Sequence, residues 1–165
     1  MLAVSNLAAG LEHQLTVQDL NARYVEAIDD DKLEAWPDFF TEDGRYRITT
    51  AENAAQGLPL GMMYATSRAM LRDRVRALRE ANVYETQRYR HIVGAPRIIT
   101  SDGKTIGARS PFIVVRIMHT GEMMIFATGS YEDKVLLDPA GGARFADKTV
   151  VLDSRAIDTL LAIPL

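Results

Sequence analysis

The sequence predicts an α+β protein in which three N-terminal helices pack on a strongly curved, mainly antiparallel sheet. Three observations carry that reading. Apolar residues recur at helical spacing through much of the first half of the chain. After Asn82 the pattern changes to four long β-rich runs. Glycine-bearing turn signals separate those runs.

Thr16 with Asp19 reads as an N-cap followed by first-turn negative charge, and Val17, Leu20, Tyr24, Ala27 and Ile28 then share one helical face. This first helix is expected to end near Asp29-Asp30-Asp31, where the acids oppose the negative end of the helix dipole. Lys32 to Trp36 suits a short second helix, with Pro37 allowed only in the first turn of a further helical segment. Thr41-Glu42-Asp43-Gly44 reads as a turn, and Arg45 to Thr50 as a short strand with Tyr46 and Ile48 on one face. Ala51 to Pro59 reads as a loop, and Ser67 as the cap of a third helix whose apolar face is Met70, Leu71, Val75 and Leu78. The β-rich runs extend from about Glu85 to Thr100, Lys104 to His119, Glu122 to Asp138 and Arg144 to Ser154. Asp102-Gly103 and Thr120-Gly121 are hairpin signals, and Pro139-Ala140-Gly141-Gly142 marks a looser turn. Each run exceeds the usual strand length of about 5–6 residues, so the sheet must twist and bend. Gly94, Gly107 and Gly129 are placed where they can host bulges or kinks. A curved sheet folded over amphipathic helices makes a cone, the cystatin-like, nuclear-transport-factor-like architecture.

The 165 residues suit one domain spanning 1–165. A net charge of −3 argues against nucleic acid as a main partner. The absence of Cys excludes a disulfide framework and cysteine-ligated zinc, and fits a cytoplasmic location. Met1 to Gly10 is apolar without a basic leading region, so no secretion signal is expected. No apolar run approaches the roughly 20 residues of a membrane span.

Several stretches resemble the small (beta) subunit of aromatic-ring-hydroxylating dioxygenases. They are Glu34-Ala35-Trp36-Pro37-Asp38-Phe39-Phe40, Gly57-Leu58-Pro59-Leu60, Met70-Leu71-Arg72-Asp73-Arg74-Val75, Arg88-Tyr89-Arg90-His91-Ile92-Val93-Gly94 and the ending Leu161-Ala162-Ile163-Pro164-Leu165. The segments from Ala77 to Glu85 and Ile117 to Glu122 look most like terephthalate dioxygenase small subunits, and Glu52 to Val75 is also similar to salicylate hydroxylase small subunits. The resemblance implies an assembly of three alpha and three beta subunits. The alpha chain would carry a Rieske [2Fe–2S] cluster, a mononuclear iron and most of the substrate pocket. It implies no catalytic residue in the beta chain. A Rieske centre takes two Cys and two His, and this chain offers no Cys and only His13, His91 and His119. The redox centres are therefore expected in the partner alpha subunit, with no cofactor or metal in this chain.

Three groups of residues remain as candidates. His91 and His119 fall on separate strands, so His91 reads as a hydrogen-bonded core or interface residue before it reads as a metal ligand. Tyr24, Trp36, Tyr46 and His91 are candidate linings of a cavity in the cone, with Asp43 or Asp31 nearby in sequence as a possible buried base. That alternative makes the chain a stand-alone enzyme or small-ligand binder of the isomerase or dehydratase type. Arg68, Arg72, Arg76 and Arg79 share one helical face, joined by Arg74, Arg88 and Arg90 in a basic segment. This stripe is either a solvated face or a docking surface for a partner's carboxylates. Arg90, Ile163 and Leu165 are further candidates for a subunit interface, because free termini are normally polar and this one ends on Ile163-Pro164-Leu165. Phe112-Ile113-Val114-Val115 is apolar on both faces, so one face is left for a neighbour or for the chain's own tail to cover.

Overall fold

A computed structural model describes residues 2–59, 61–81, 86–139, 142–155, 161 and 163–165. The first helix, α1, runs Leu2–Asp29 and begins well before Thr16. Thr16 lies inside it, and its hydroxyl donates to the Glu12 carbonyl at 2.9 Å. The Leu, Ala, Glu and Gln content upstream sustains the helix, and this outweighs the capping preference of a single Thr. The expected end holds. Asp31 adopts φ 58°, its N–H donates to the Ile28 carbonyl and the Lys32 N–H to the Ala27 carbonyl. This is the paired closure a left-handed residue gives a helix end, with Asp where Gly is commoner.

A 3-10 helix, Leu33–Phe39, follows and carries Pro37 inside it. The expected break before Pro37 does not occur: the 3-10 helix continues through it for just over two turns, with Trp36 and Pro37 both buried. Strand β1 then spans Phe40–Thr50, and the expected turn at Thr41 to Gly44 is an irregularity within it, between Phe40 and Arg45. The expected loop after it opens with helix α2, Ala51–Ala55, where the Thr50 hydroxyl accepts the Asn53 N–H at 3.2 Å. Strand β2, Met63–Ala65, had no periodic signal, being only three residues long. Helix α3 is Arg68–Ala81, capped by the Ser67 hydroxyl as expected. Leu71 and Val75 are buried beneath it, but Met70 is exposed, its sulfur accepting from Thr66.

The first β-rich run divides into β3, Gln87–Val93, and β4, Arg97–Ser101, because Pro96 interrupts it. Strands β5, Thr105–Met118, β6, Met123–Leu137, and β7, Ala143–Leu152, follow the expected bounds closely. Gly103 at φ 84° and Gly121 at φ 88° make the two predicted hairpin turns. Part of the third turn, Ala140 and Gly141, lies outside the described residues.

The strands form one sheet in the order β2-β1-β7-β6-β5-β3, with β4 paired beside β3 on β5. All pairings are antiparallel except β1 with β7, which run parallel from Arg45–Asp147 to Thr50–Leu152. Irregularities between Ile98 and Thr100, Val114 and Val115, and Lys134 and Val135 curl the sheet. Gly107 faces the first of these. Gly129 sits at no bulge; a side chain there would strike the Val151 carbonyl, so close approach of β7 requires the glycine. The helices cover the concave face, where Val17, Leu20, Tyr24 and Ile28 meet Tyr46, Ile48, Tyr131 and Val150. Each such side chain contributes roughly 1.5–3 kcal/mol of burial. The fold is the expected open, curled α+β cone.

Candidate functional site

Tyr24, Trp36 and Tyr46 do come together inside the cone. Trp36 and Tyr46 meet edge to face at 5.1 Å, and Tyr24 and Tyr46 both contact Phe40. All three are fully buried. What they surround is the chain's own last residue. The Tyr24 hydroxyl donates to the Leu165 main-chain oxygen at 2.7 Å, and the Tyr46 hydroxyl to the same oxygen at 3.0 Å. The Leu165 N–H returns a bond to the Tyr46 hydroxyl at 3.0 Å. Arg74, reaching from α3, donates to the Leu161 carbonyl at 2.7 Å. Ile163 and Leu165, expected at a subunit interface, are covered here by the chain's own aromatic side chains. Burial pushes the Tyr46 phenol up to about 12 and holds Tyr24 well above its ordinary value, so both remain hydrogen-bond donors. The Trp36 indole N–H favours the Tyr24 anion slightly but does not reach hydrogen-bond geometry.

His91 belongs to a different constellation. Its Nδ1 lies 2.6 Å from Asp29 Oδ1, and its main-chain N–H donates to Asp29 Oδ2 at 2.9 Å. Arg90 approaches the same carboxylate at 3.5 Å. Asp29 is the last residue of α1, yet its side chain is only 2% exposed. It closes the last turn of α1 onto β3, which gives the acidic run a structural use. His91 Nε2 is buried with no hydrogen-bond partner among the described residues. Asp43 and Asp31, weighed above as possible bases, are both exposed.

A third buried group was not anticipated. Lys148 on β7 is fully buried, with Nζ 3.0 Å from Asn21 Oδ1 and 3.1 and 3.2 Å from the two Asp133 oxygens. Asn21 in turn donates to Ser110 at 3.2 Å. Three rings box the ammonium: Tyr131 at 3.8 Å, Phe145 at 4.2 Å and Tyr24 at 4.7 Å. Loss of hydration pushes Lys148 down to about 8, against the pull of Asp133, and raises the Asp133 carboxyl. Strand parity held the signal. Lys148 shares its face with Val150 and Leu152, and Asp133 shares its face with Tyr131 and Val135.

On the surface, most of the arginine stripe is turned toward the chain's own acids. Arg68 pairs with Glu42, and Arg72 with Asp38 at 3.1 Å. Arg79 meets Asp31 and Glu34, both at 2.8 Å, and also the Asp31 carbonyl. These bonds fasten α3 to the 3-10 helix and β1. Arg76 has only Asp73 at 3.8 Å and is well exposed, as is Arg90. The outer face of β3, β5 and β6 carries an apolar patch beside Arg88 and Arg90. Ile92 pairs with Ile113, Val115 with Ile125 and Ile117 with Met123, and Met123 and Ile125 are 69% and 68% exposed. Phe112 and Val114 point the other way, into the core.

Among the described residues no three His, Cys, Asp or Glu side chains gather as a metal would need. With no thiolate in the chain, its donor set does not fit an iron–sulfur cluster. Among the described residues no helix is long and apolar enough to cross a membrane.

The interior of the cone is thus filled by the chain's own Leu165, and its outer sheet face carries an exposed apolar patch. Residues 23–159 match the family described as the ring hydroxylating beta subunit, and the chain is a member of that family, a beta subunit of the terminal oxygenase of an aromatic-ring-hydroxylating dioxygenase. It is 47% identical to the terephthalate 1,2-dioxygenase terminal oxygenase subunit beta 1 of a Comamonas species, over 93% of this chain and 99% of that protein. It is 38% identical to the anthranilate 1,2-dioxygenase small subunit of Burkholderia cepacia, over 98% of this chain and 100% of that protein. Among solved structures, one from Novosphingobium aromaticivorans, assigned as an aromatic-ring-hydroxylating dioxygenase beta subunit, superposes with a TM-score of 0.85 at 36% identity. That likeness covers 98% of this chain and 99% of the other.

Proposed function

We propose that this chain is the non-catalytic, structural subunit of its oxygenase, acting as one domain that seats iron-bearing alpha subunits in the cytoplasmic catabolism of an aromatic acid. One observation carries the non-catalytic reading: the cone interior, where a stand-alone enzyme of this shape would hold its substrate, is filled by Leu165 and its tyrosine partners. The Rieske cluster and the mononuclear iron are then the alpha subunit's: the chain has no thiolate for the cluster, and among the described residues no three His, Asp or Glu side chains gather for the iron. The relatives named for terephthalate and anthranilate support the aromatic-acid class.

The apolar outer face of β3, β5 and β6 suits self-association as a trimer within a hexamer of three alpha and three beta chains. Arg76 and Arg90, well exposed and held within the chain only by long ion pairs to Asp73 and Asp29, offer a cationic fork that a partner carboxylate would take. Arg68, Arg72 and Arg79 place α3 from behind by their own ion pairs. The test is reconstitution. The purified chain should be colourless and free of iron, and should turn over no aromatic acid until mixed with its large partner. Iron or oxygen-consuming turnover in the isolated chain would overturn the reading and favour an enzyme acting through the cone.

A further inference from the structure

The aromatic pocket at the mouth of the cone presents a one-sided set of polar groups. Tyr24 and Tyr46 both aim their hydroxyls at a single oxygen, at 2.7 and 3.0 Å. The Trp36 N–H is buried without a hydrogen-bond partner among the described residues, and the Arg74 guanidinium donates to the Leu161 carbonyl at 2.7 Å. All four groups are donors by chemistry, three of them with an acceptor, and the Tyr46 hydroxyl also accepts, from the Leu165 N–H. The walls are the rings of Tyr24, Trp36, Phe40 and Tyr46. Two fully buried phenols converging on one oxygen are costly to leave unpaired, because each lost partner removes a hydrogen bond in a site that water does not reach. The pocket is thus built for a guest with an apolar body and an oxygen-bearing end.

We propose that this pocket is a binding site for apolar acyl and carboxylate ligands, and that Ile163–Leu165 is the guest it carries as a built-in occupant. The segment is held as a ligand is held, by its main-chain oxygen and N–H at one end and by burial of its side chains. A tripeptide of the same sequence supplied from solution should therefore replace it. Within a ligand of this class the oxygen lies between the two tyrosines, and a branched or aromatic body lies against Trp36.

Trp36 is the only Trp of the chain, so the site reports on its own occupancy. The test uses a variant lacking Ile163, Pro164 and Leu165, titrated with N-acetyl-Ile-Pro-Leu and, separately, with benzoate, following Trp36 fluorescence and the melting temperature. The peptide is expected to give a saturable change in the shortened chain and none in the full chain, with a rise in melting temperature of about 5 °C or more at saturation. Adding Tyr46→Phe to the shortened chain should weaken peptide binding at least about tenfold, since it removes both the bond the Tyr46 hydroxyl donates and the one it accepts. If the shortened chain is unfolded alone, the peptide should restore its far-ultraviolet circular dichroism. Saturable benzoate binding extends the site to free carboxylic acids; binding of peptide alone confines it to acyl peptides. The proposal fails if millimolar peptide neither binds nor refolds the shortened chain, if the full chain binds it equally, or if Tyr46→Phe leaves binding unchanged.

Discussion

Lys148 shows how much one residue can decide. A buried ammonium beside a buried carboxylate is sustained only while both partners are present, and replacing Lys148 alone leaves Asp133 uncompensated. Lys148→Met should therefore lower stability by about 3–5 kcal/mol in urea unfolding, whereas Lys148→Met with Asp133→Leu should recover much of that loss. The same pair fixes a pH dependence. The folded-state value of Lys148 is depressed to about 8, below the unfolded value, so the unfolded chain binds more protons between about pH 8 and 10. Stability contributed by this group is lost as pH falls through its folded value. Unfolding free energy measured from pH 8 toward 10 should accordingly rise, and the rise should vanish in the double variant. Above that window the buried tyrosines act oppositely, because their raised values make ionisation favour the unfolded chain. His91→Ala removes the partner that closes α1 onto β3 and should cost about 1–3 kcal/mol, weakening folding or assembly while the iron content of the intact oxygenase stays constant. None of these partnerships is visible in the sequence. Asp29 and His91, or Lys148 and Asn21, are brought together only by the curl of the sheet, and no local spacing encodes that curl.

Among the elements, periodicity proved informative where an element was long and misleading where it was short. The helix face from Val17 to Ile28, the Ser67 cap and both glycine hairpins could be read directly, because each is set by neighbours in sequence. Strand β2 is too short to show a period, and β1 passes through an acidic, glycine-containing stretch that looks like a turn. The start of α1 depended on the summed propensity of many residues, not on one Thr. Thr16→Ala should thus leave stability unchanged or raise it by about 0.3–0.7 kcal/mol in thermal unfolding, whereas a capping Thr would lose about 1 kcal/mol. The arginine stripe divides in the same way. Arg79→Ala should cost about 1–2 kcal/mol because Arg79 ties α3 to two acids and a carbonyl; Arg76→Ala should stay within about 0.5 kcal/mol.

For the whole molecule, the sequence sufficed for the cone and for its family but not for the content of its interior. Tyr24, Trp36 and Tyr46 could be grouped by their aromatic character, yet the arrival of Leu165 among them reflects how the sheet bends the chain back on itself. The apolar end read as an interface element because an uncovered tail and a tail folded inward have the same composition. The outer sheet face, by contrast, keeps Ile92, Met123 and Ile125 exposed among the described residues. Ile125→Lys should leave the melting temperature of the isolated chain within a few degrees while reducing the mass measured by light scattering to that of one chain, if this face joins copies of the subunit.

The parallel pairing of β1 with β7 has a consequence for synthesis. Tyr46 finds its sheet neighbour Lys148 only after every strand between them has been made, and Tyr24 and Tyr46 wait longer still for Leu165. Antiparallel β5 and β6 can zip as soon as they leave the ribosome, but β1 has no lateral partner on the β7 side until β7 itself has emerged. A nascent chain stalled before β7 would display a half-finished sheet edge, which chaperones would be expected to shield until release.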